Sequence, residues 1–171
     1  VSAEAHLFGQ HIGKRERVRS GYDSQGKRGK IMYVKQISVF MENREGRLEQ
    51  VTEVLKQQGI NILSLSMADT TEYGMLRMVV SDPELAKNAL QEKGFSARLT
   101  DVLAVRLEDK SGELYKLTHI LGAKGINIEY MYALASGDCR AMIVKASNGE
   151  TAGNAILEGG LTLYDNEELC R

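Results

Sequence analysis

The sequence contains few of the residues that build metal, disulfide or membrane-spanning structures. Its 171 residues include two cysteines, three histidines, one proline and no tryptophan. Cys139 and Cys170 form no Cys-x-x-Cys pair, so neither a zinc site nor a disulfide framework is expected. No apolar run approaches the roughly 18 residues that cross a bilayer. The first ten residues also lack the pattern of a secretory signal, and we expect a soluble cytoplasmic protein without a bound metal.

The motifs of common enzymes are missing as well. There is no Gly-x-Gly-x-x-Gly, no Gly-Lys-Ser/Thr loop and no His-Glu-x-x-His. His6 and His11 lie near the start of the chain, which leaves His119 in the periodic part. An internal repeat described below has Glu53 at the equivalent position, which favours a solvent-facing side chain over a general base. We therefore predict no catalytic residue and no cofactor.

Charge is unevenly distributed along the chain. Residues 1–31 hold seven basic and three acidic residues, whereas the other 140 hold fifteen basic and twenty acidic. The first segment is poor in aliphatic residues and cannot repay its ordering entropy, so residues 1–33 are predicted to be a disordered basic extension. Such an extension can bind nucleic acid or acidic lipid. Met32 is the first methionine of the sequence. We therefore favour another explanation, in which residues 1–31 are translated from an alternative start at Val1, upstream of Met32.

The rest of the chain is one unit written twice. Residues 34–105 align without a gap with residues 100–171, at an offset of 66 positions. Between 42–63 and 108–129, nine of 22 positions are identical. A repeat determines the architecture before any other feature does. Two copies of so long a unit predict two small and similar domains.

Both copies predict the order strand, helix, strand, strand, helix, strand. This order is that of the ferredoxin-like α+β sandwich, in which both helices cover one face of a four-stranded sheet. The predicted strands include two separate ones at 96–100 and 102–107. A unit of about 66 residues buries too little surface to be comfortably stable alone. We therefore predict two sandwiches, 34–100 and 101–171, paired about a pseudo-two-fold axis, edge to edge or back to back.

A glycine-containing turn joins the first strand to the first helix in each copy. The two turns are Asn43-Arg44-Glu45-Gly46 and Asp109-Lys110-Ser111-Gly112. The first N–H groups of the helix that follows have no internal partner, and with the positive end of the helix dipole they suit a carboxylate. Simple helix capping by Asn43 and Asp109 is the competing interpretation. A second repeated feature is the asparagine of Gly-Ile-Asn-Ile, which in a paired arrangement can approach the turn of the other copy.

These motifs resemble those of the ACT domain family. A strand, Glu-Asn-Arg-Glu-Gly-Arg-Leu and a helix closed by Gln-Gly-Ile-Asn-Ile are present, and the pattern recurs over residues 34–165. The resemblance implies a stand-alone tandem of regulatory βαββαβ modules that bind an amino acid between paired domains. The ligand-binding residues implied are Asn43, Gly46, Arg47 and Leu48 with Asn127 and Ile128. A second, weaker site would use Asp109, Gly112, Glu113 and Leu114 with Asn61 and Ile62.

Two departures from the family pattern affect these sites. The family often has proline before the loop glycine, where this chain has Glu45 and Ser111. The second copy also has Asp109 in place of Asn43, and an acidic residue in place of Arg47. The second site is therefore more acidic and less suited to a carboxylate, and we expect unequal sites.

The resemblance implies a non-catalytic regulator that binds a free amino acid. An alternative is a regulatory subunit of a separate biosynthetic enzyme, similar to the acetolactate synthase small subunit. That subunit has a differently built second half, so this alternative is disfavoured. Nucleic-acid binding is disfavoured because the repeats are net acidic and residues 140–146 lack the aromatic motif of RNA-recognition modules. Tyr130 and Tyr132 are instead expected to cover a domain or subunit contact.

One further pattern concerns assembly. Leu63, Leu65 and Met67 alternate with serines along one strand. If the apolar set faces outward, a homodimer is the expected way to bury it.

Overall fold

The computed structural model describes residues 31–69, 72–137 and 139–169. The disordered extension predicted for residues 1–33 thus lies outside the described residues, apart from its last three. The elements in chain order are β1 (Val34–Glu42), α1 (Arg47–Gln57), β2 (Ile62–Asp69), β3 (Tyr73–Val80), α2 (Pro83–Glu92), β4 (Ser96–Arg106), α3 (Glu113–Ala123), β5 (Ile128–Ser136), β6 (Cys139–Ala146), α4 (Gly149–Glu158), β7 (Thr162–Tyr164) and α5 (Asn166–Leu169).

Each repeat folds as a βαββαβ unit, which confirms the predicted ferredoxin-like α+β architecture. The antiparallel strands lie in the order β2-β3-β1-β4 in the first unit and β5-β6-β4-β7 in the second. Helices α1 and α2 cover one face of the first sheet, and α3 and α4 cover one face of the second. The side chains beneath the helices include Ile37, Val39, Leu55, Leu103, Val105 and Leu121.

The second helix of each unit begins at a polar capping residue. Asp82 accepts a hydrogen bond at 3.0 Å from the N–H of Leu85, and Pro83 occupies the first helical position. Asn148 accepts at 2.9 Å from the N–H of Thr151 in the same way. These side chains satisfy N–H groups that have no partner inside the helix.

Strand β4 corrects one sequence-based expectation. The separate strands predicted at 96–100 and 102–107 are wrong, because one continuous strand runs through both. Residues 96–102 pair with β1, and residues 103–106 pair with β6. No glycine or proline interrupts this segment, so no turn forms and the ladder continues. The predicted domain boundary at Asp101 therefore falls inside a strand that both sheets share.

Helix α5 was not predicted, although its sequence carries a recognisable signal. Asp165 accepts a hydrogen bond at 2.9 Å from the N–H of Glu168, whose carboxylate accepts at 3.0 Å from the N–H of Asp165. This reciprocal pair is the geometry of a capping box. The short helix buries Leu169 against the two sheets.

The two sheets face each other through the sides that the helices leave open. The hydroxyl of Ser64 on β2 donates to the carbonyl of Ala133 on β5 at 2.7 Å, so the outermost strands of the two sheets meet as well. The pairing is thus back to back, one of the two arrangements predicted. The apolar cluster between the sheets consists of Val34, Val79, Val102, Ala104, Leu134, Ala141, Ile143 and Leu169.

A short segment before β1 ties the first unit to the second. Ile31 and Tyr33 precede a strand of the first unit, but they pack on α4 of the second. A Cβ atom added at Gly153 would lie 2.7 Å from Cγ2 of Ile31, and one at Gly149 would lie 3.0 Å from Cε1 of Tyr33. The first unit has Lys87 in place of Gly153. Only the second unit therefore offers this close approach.

We expect Gly153→Leu to lower the free energy of unfolding by about 1–3 kcal/mol, because the new side chain must displace the buried Ile31. The control is Gly122→Ala, in α3, where an added Cβ meets nothing within 4 Å. It should raise stability by up to about 1 kcal/mol, since alanine favours the helix. Urea unfolding followed by circular dichroism measures both. Equal changes in the two variants would contradict the packing of Ile31 on α4.

Candidate functional site

The turn between β1 and α1 is held open by a glycine in a left-handed conformation. Gly46 has φ of 78° and occupies the N-cap position of α1. The backbone N–H of Asn43 donates to the carbonyl of Glu72 at 2.9 Å, which ties the turn to the start of β3. A side chain at Gly46 would be strained at this φ. The capping interpretation is wrong in one respect, because the N-cap residue is Gly46 and not Asn43.

Arg47, the first residue of α1, brings a buried donor to this turn. Its guanidinium lies over the ring of Phe95, with Cζ 4.7 Å from the ring centroid, and Nη1 donates to Gln50 at 2.8 Å. The Nε atom is buried and has no hydrogen-bond partner within the described residues. A carboxylate oxygen of Glu42 lies 3.8 Å from it, beyond hydrogen-bond distance. An N–H in this state favours an additional acceptor.

The corresponding turn of the second unit has a different charge. Gly112 again occupies the N-cap position, with φ of 94°. Asp109, however, lies 3.3 Å from Nη1 of Arg140 and is engaged in an ion pair. The first residue of α3 is Glu113. This turn therefore presents two carboxylates, one of them paired with Arg140, where the first presents an amide and a guanidinium that lies beside Glu42.

A polar network joins the units between the sheets. Gln36 is fully buried on β1 and donates to Ser38 at 2.9 Å and to Tyr130 at 3.0 Å, while its carbonyl accepts from Tyr132 at 2.9 Å. Cζ of Arg77 lies 4.1 Å from the Tyr130 ring centroid. The expectation that the two tyrosines cover a domain contact is confirmed. Gln36 was not predicted as part of this contact, although a polar residue inside an alternating strand signals it.

These contacts fix the relative direction of the outer strands β2 and β5. Tyr130 lies on Arg77, whose register partner on β2 is Ser66. Three residues later, Ala133 accepts from Ser64. As residue numbers increase along β5, the numbers of the facing residues on β2 therefore decrease. The two strands run antiparallel across the contact.

This direction decides which ends of the units meet. Strand β1 runs into the turn at Asn43 at the end of the first sheet where β2 finishes. Because β5 begins where β2 finishes, Asn127 lies at this same end. Asn61 precedes β2 and so lies at the opposite end of the sheets. At that end β4 runs into the turn at Asp109. It stays a prediction that each pair of features closes around one ligand.

The remaining predicted residues differ in their surroundings. Ile62 and Ile128 pack against the helix-side clusters of their own units, so their side chains point away from the space between the sheets. Leu48 and Leu114 are exposed on the first turns of α1 and α3. The backbone carbonyl of Asn127 accepts a hydrogen bond at 3.0 Å from the N–H of Ser147, which follows β6. Asn127 is exposed.

Metal binding and membrane crossing find no support in the described ranges. No group of three His, Cys, Asp or Glu side chains there could hold a metal ion. Within the same ranges, no helix is long and apolar enough to cross a membrane. His119 is exposed and stacks on Tyr115, with ring centroids 5.6 Å apart.

Comparison with known proteins gives one family and several similar structures. A family model described as an ACT domain pair matches residues 32–171. Protein BT0572 from Bacteroides thetaiotaomicron is 36% identical, with a TM-score of 0.77, over 82% of this chain and 97% of that one. No curated protein matches the chain significantly.

Two more distant structures show the fold alone. The regulatory subunit of aspartate kinase from Thermus thermophilus, in a ligand-free form, is 20% identical with a TM-score of 0.52, over 75% of this chain and 93% of that one. The corresponding subunit from Thermus flavus is also 20% identical, with a TM-score of 0.50, over 77% of this chain and 94% of that one.

The network between the sheets predicts a loss of stability at alkaline pH. Burial raises the pKa of Tyr132 well above its ordinary value of 10.0, and the neighbouring Tyr130 adds to this effect. The folded protein therefore keeps this proton where the unfolded chain loses it. The un-ionised hydroxyl of Tyr132 therefore contributes fully to the free energy of unfolding below pH 10. Above pH 10 this contribution falls by about 1.4 kcal/mol per pH unit at most.

Urea unfolding at pH 9 to 11.5 tests this directly. Stability should fall more steeply with pH in the unmodified protein than in Tyr132→Phe. Tyr115→Phe, at an exposed position on α3, is the control and should keep the original slope. Identical slopes for the unmodified protein and Tyr132→Phe would contradict the burial of an un-ionised hydroxyl.

Proposed function

Because the chain belongs to the ACT domain pair family, we propose that it is a non-catalytic regulatory protein that binds a free amino acid between its two units. In this proposal the units comprise residues 34–100 and 101–171. The observation that carries it is the glycine-capped start of α1 beside Arg47, whose buried Nε has no hydrogen-bond partner among the described residues and lies 3.8 Å from Glu42. Donors of this kind suit the carboxylate of an amino acid.

The carboxylate is the better-supported half of the ligand. The dipole of α1 contributes about 0.3–1 kcal/mol, and each hydrogen bond to a charged group adds about 1.5–3 kcal/mol. With two or three such bonds the total is about 3–10 kcal/mol, against an association cost of at least about 4 kcal/mol, so contacts to the rest of the ligand must add to the affinity. The ammonium group needs acceptors, which the side-chain amides of Asn43 and Asn127 supply in this proposal.

The two sites are unequal in this proposal. The second turn carries Asp109 and Glu113, and its aspartate is already paired with Arg140. A ligand carboxylate there would meet like charge, which weakens its binding. The site with Asn43, Gly46, Arg47, Leu48, Asn127 and Ile128 is thus the stronger, although the side chain of Ile128 contributes to its own core.

We also propose that the protein acts as a homodimer. Ser64 and Ser66 share a sheet face with Val79 and Arg77, toward the other unit. Leu65 and Met67 therefore lie on the helix side of the sheet, opposite Met78 and Leu76, where they are still 43% and 46% exposed. Leu63 does not share this face, because it packs against the cluster between the sheets. An exposed apolar pair on an edge strand is a typical dimer contact.

Light scattering tests the dimer. The unmodified chain should have twice the monomer mass at micromolar concentration, and Leu65→Lys should reduce it to the monomer mass. Leu85→Lys, at a similarly exposed position on α2, should leave the dimer intact. A monomer mass for the unmodified chain would reject the dimer but not the ligand site.

Titration calorimetry against the twenty amino acids tests the ligand site. At least one should bind, with a stoichiometry near one per chain. Gly46→Ala should weaken this binding by about tenfold or more, because alanine is strained at a φ of 78° and the turn must shift. Gly112→Ala imposes the same strain on the second turn and should leave the strong site unchanged.

Two results would contradict the proposal. The absence of any heat change or stabilisation with all twenty amino acids would reject amino-acid binding. Equal losses in Gly46→Ala and Gly112→Ala would reject the unequal sites and point to a general effect on folding.

A further inference from the structure

Two aromatic rings lie exposed beside the first turn. Phe40 and Tyr73 stack with ring centroids 5.1 Å apart and an angle of 18° between their planes. They are 46% and 45% exposed. The chain has only ten aromatic residues and no tryptophan, and two of them are left half in water here. We refer to Phe40 and Tyr73 as the ring pair.

The ring pair lies on the side of the first sheet that faces the second unit. Val39 and Met41 are buried under the helices, and Phe40, between them, points to the opposite face because side chains alternate along a strand. On that face, Gln36 and Ser38 are covered by the tyrosines of β5. Phe40 lies further along β1, beyond the part of the sheet that these tyrosines cover.

The ring pair is also joined to the turn. Tyr73 follows Glu72, whose carbonyl accepts from the N–H of Asn43. Phe40 lies three residues before Asn43 on the same strand. The rings and the helix start thus occupy one end of the first unit, which is the end where Asn127 arrives.

The second unit fills the equivalent place with its own side chains. The repeat equivalents of Phe40 and Tyr73 are Arg106 and Cys139. Tyr164 lies beside both: its ring centroid is 5.9 Å from Cζ of Arg106, and it packs against the same apolar cluster as Cys139. The first unit therefore keeps open a surface that the second closes.

We propose that the ring pair receives the side chain of the ligand, and that the ligand is an amino acid with an aromatic or large apolar side chain. This inference rests on the proposed function, since it assumes that the turn binds the ligand's backbone groups. A flat ring can stack on an exposed aromatic pair. An aliphatic side chain that covers the pair removes apolar surface of both from water.

A ligand with a cationic side chain is the main competitor, because aromatic rings also attract cations. Arg77 argues against it. This residue shares the face of the ring pair, since its register partner Ser38 lies two residues before Phe40. Its guanidinium lies over a tyrosine ring instead of pairing with a carboxylate of the described residues. Its positive charge disfavours a second cation nearby.

Calorimetry with phenylalanine, leucine, alanine and lysine tests the inference on the full chain. Phenylalanine or leucine should bind at least tenfold more tightly than alanine, and lysine should bind no better than alanine. Phe40→Ala and Tyr73→Ala should each reduce the affinity for the preferred amino acid by about tenfold and remove its advantage over alanine. Tyr115→Ala removes a ring of α3 that is 70% exposed and should leave the affinity for the preferred amino acid unchanged.

The outcomes separate this inference from the proposed function. If a small or charged amino acid binds best and Phe40→Ala does not weaken it, the ring pair is not the specificity surface, although amino-acid binding stands. If no amino acid binds, both are rejected. Circular dichroism of the variants confirms that they fold, and an unchanged affinity for alanine in both shows that the turn still binds the backbone groups of the ligand.

Discussion

Strand β4 belongs to both sheets, and the relation between the two units depends on this shared strand. Its side chains alternate, so that Leu103 and Val105 lie under the helices while Val102 and Ala104 lie between the sheets. A shift of one residue would exchange these two faces. The continuous ladder thus keeps the helix-free faces together, and with them the ends of the units at which the candidate sites lie.

The two repeats differ most where they meet. Gln36 and Ser38 of β1 correspond to Val102 and Ala104 of β4, so one sheet presents polar groups to a largely apolar one. A buried amide is costly unless it is paired, and the hydroxyls of β5 provide the partners. The duplication therefore produced a pair that is symmetric in fold but asymmetric in chemistry. The same asymmetry extends to the turns and to the ring pair.

The repeat made most of the fold predictable, because one pattern of apolar residues and glycines had to serve twice. The continuity of β4 was not predictable from it: two strand patterns that abut without a turn residue can join or separate, and the pairing with β1 and β6 decides. The site residues near Gly46 follow from a local motif. Gln36 and the exposure of Phe40 do not, since both depend on which part of one sheet the other covers.

We propose that one amino acid binds at the first turn, between the units, and that the second turn does not compete for it. Backbone amide chemical shifts, recorded by NMR while the preferred amino acid is added, test it most directly. We expect saturable shifts at residues 43–48 and at Asn127, and smaller ones at residues 109–114 and at Asn61. Equal shifts at both turns, or shifts confined to residues away from both, would contradict it.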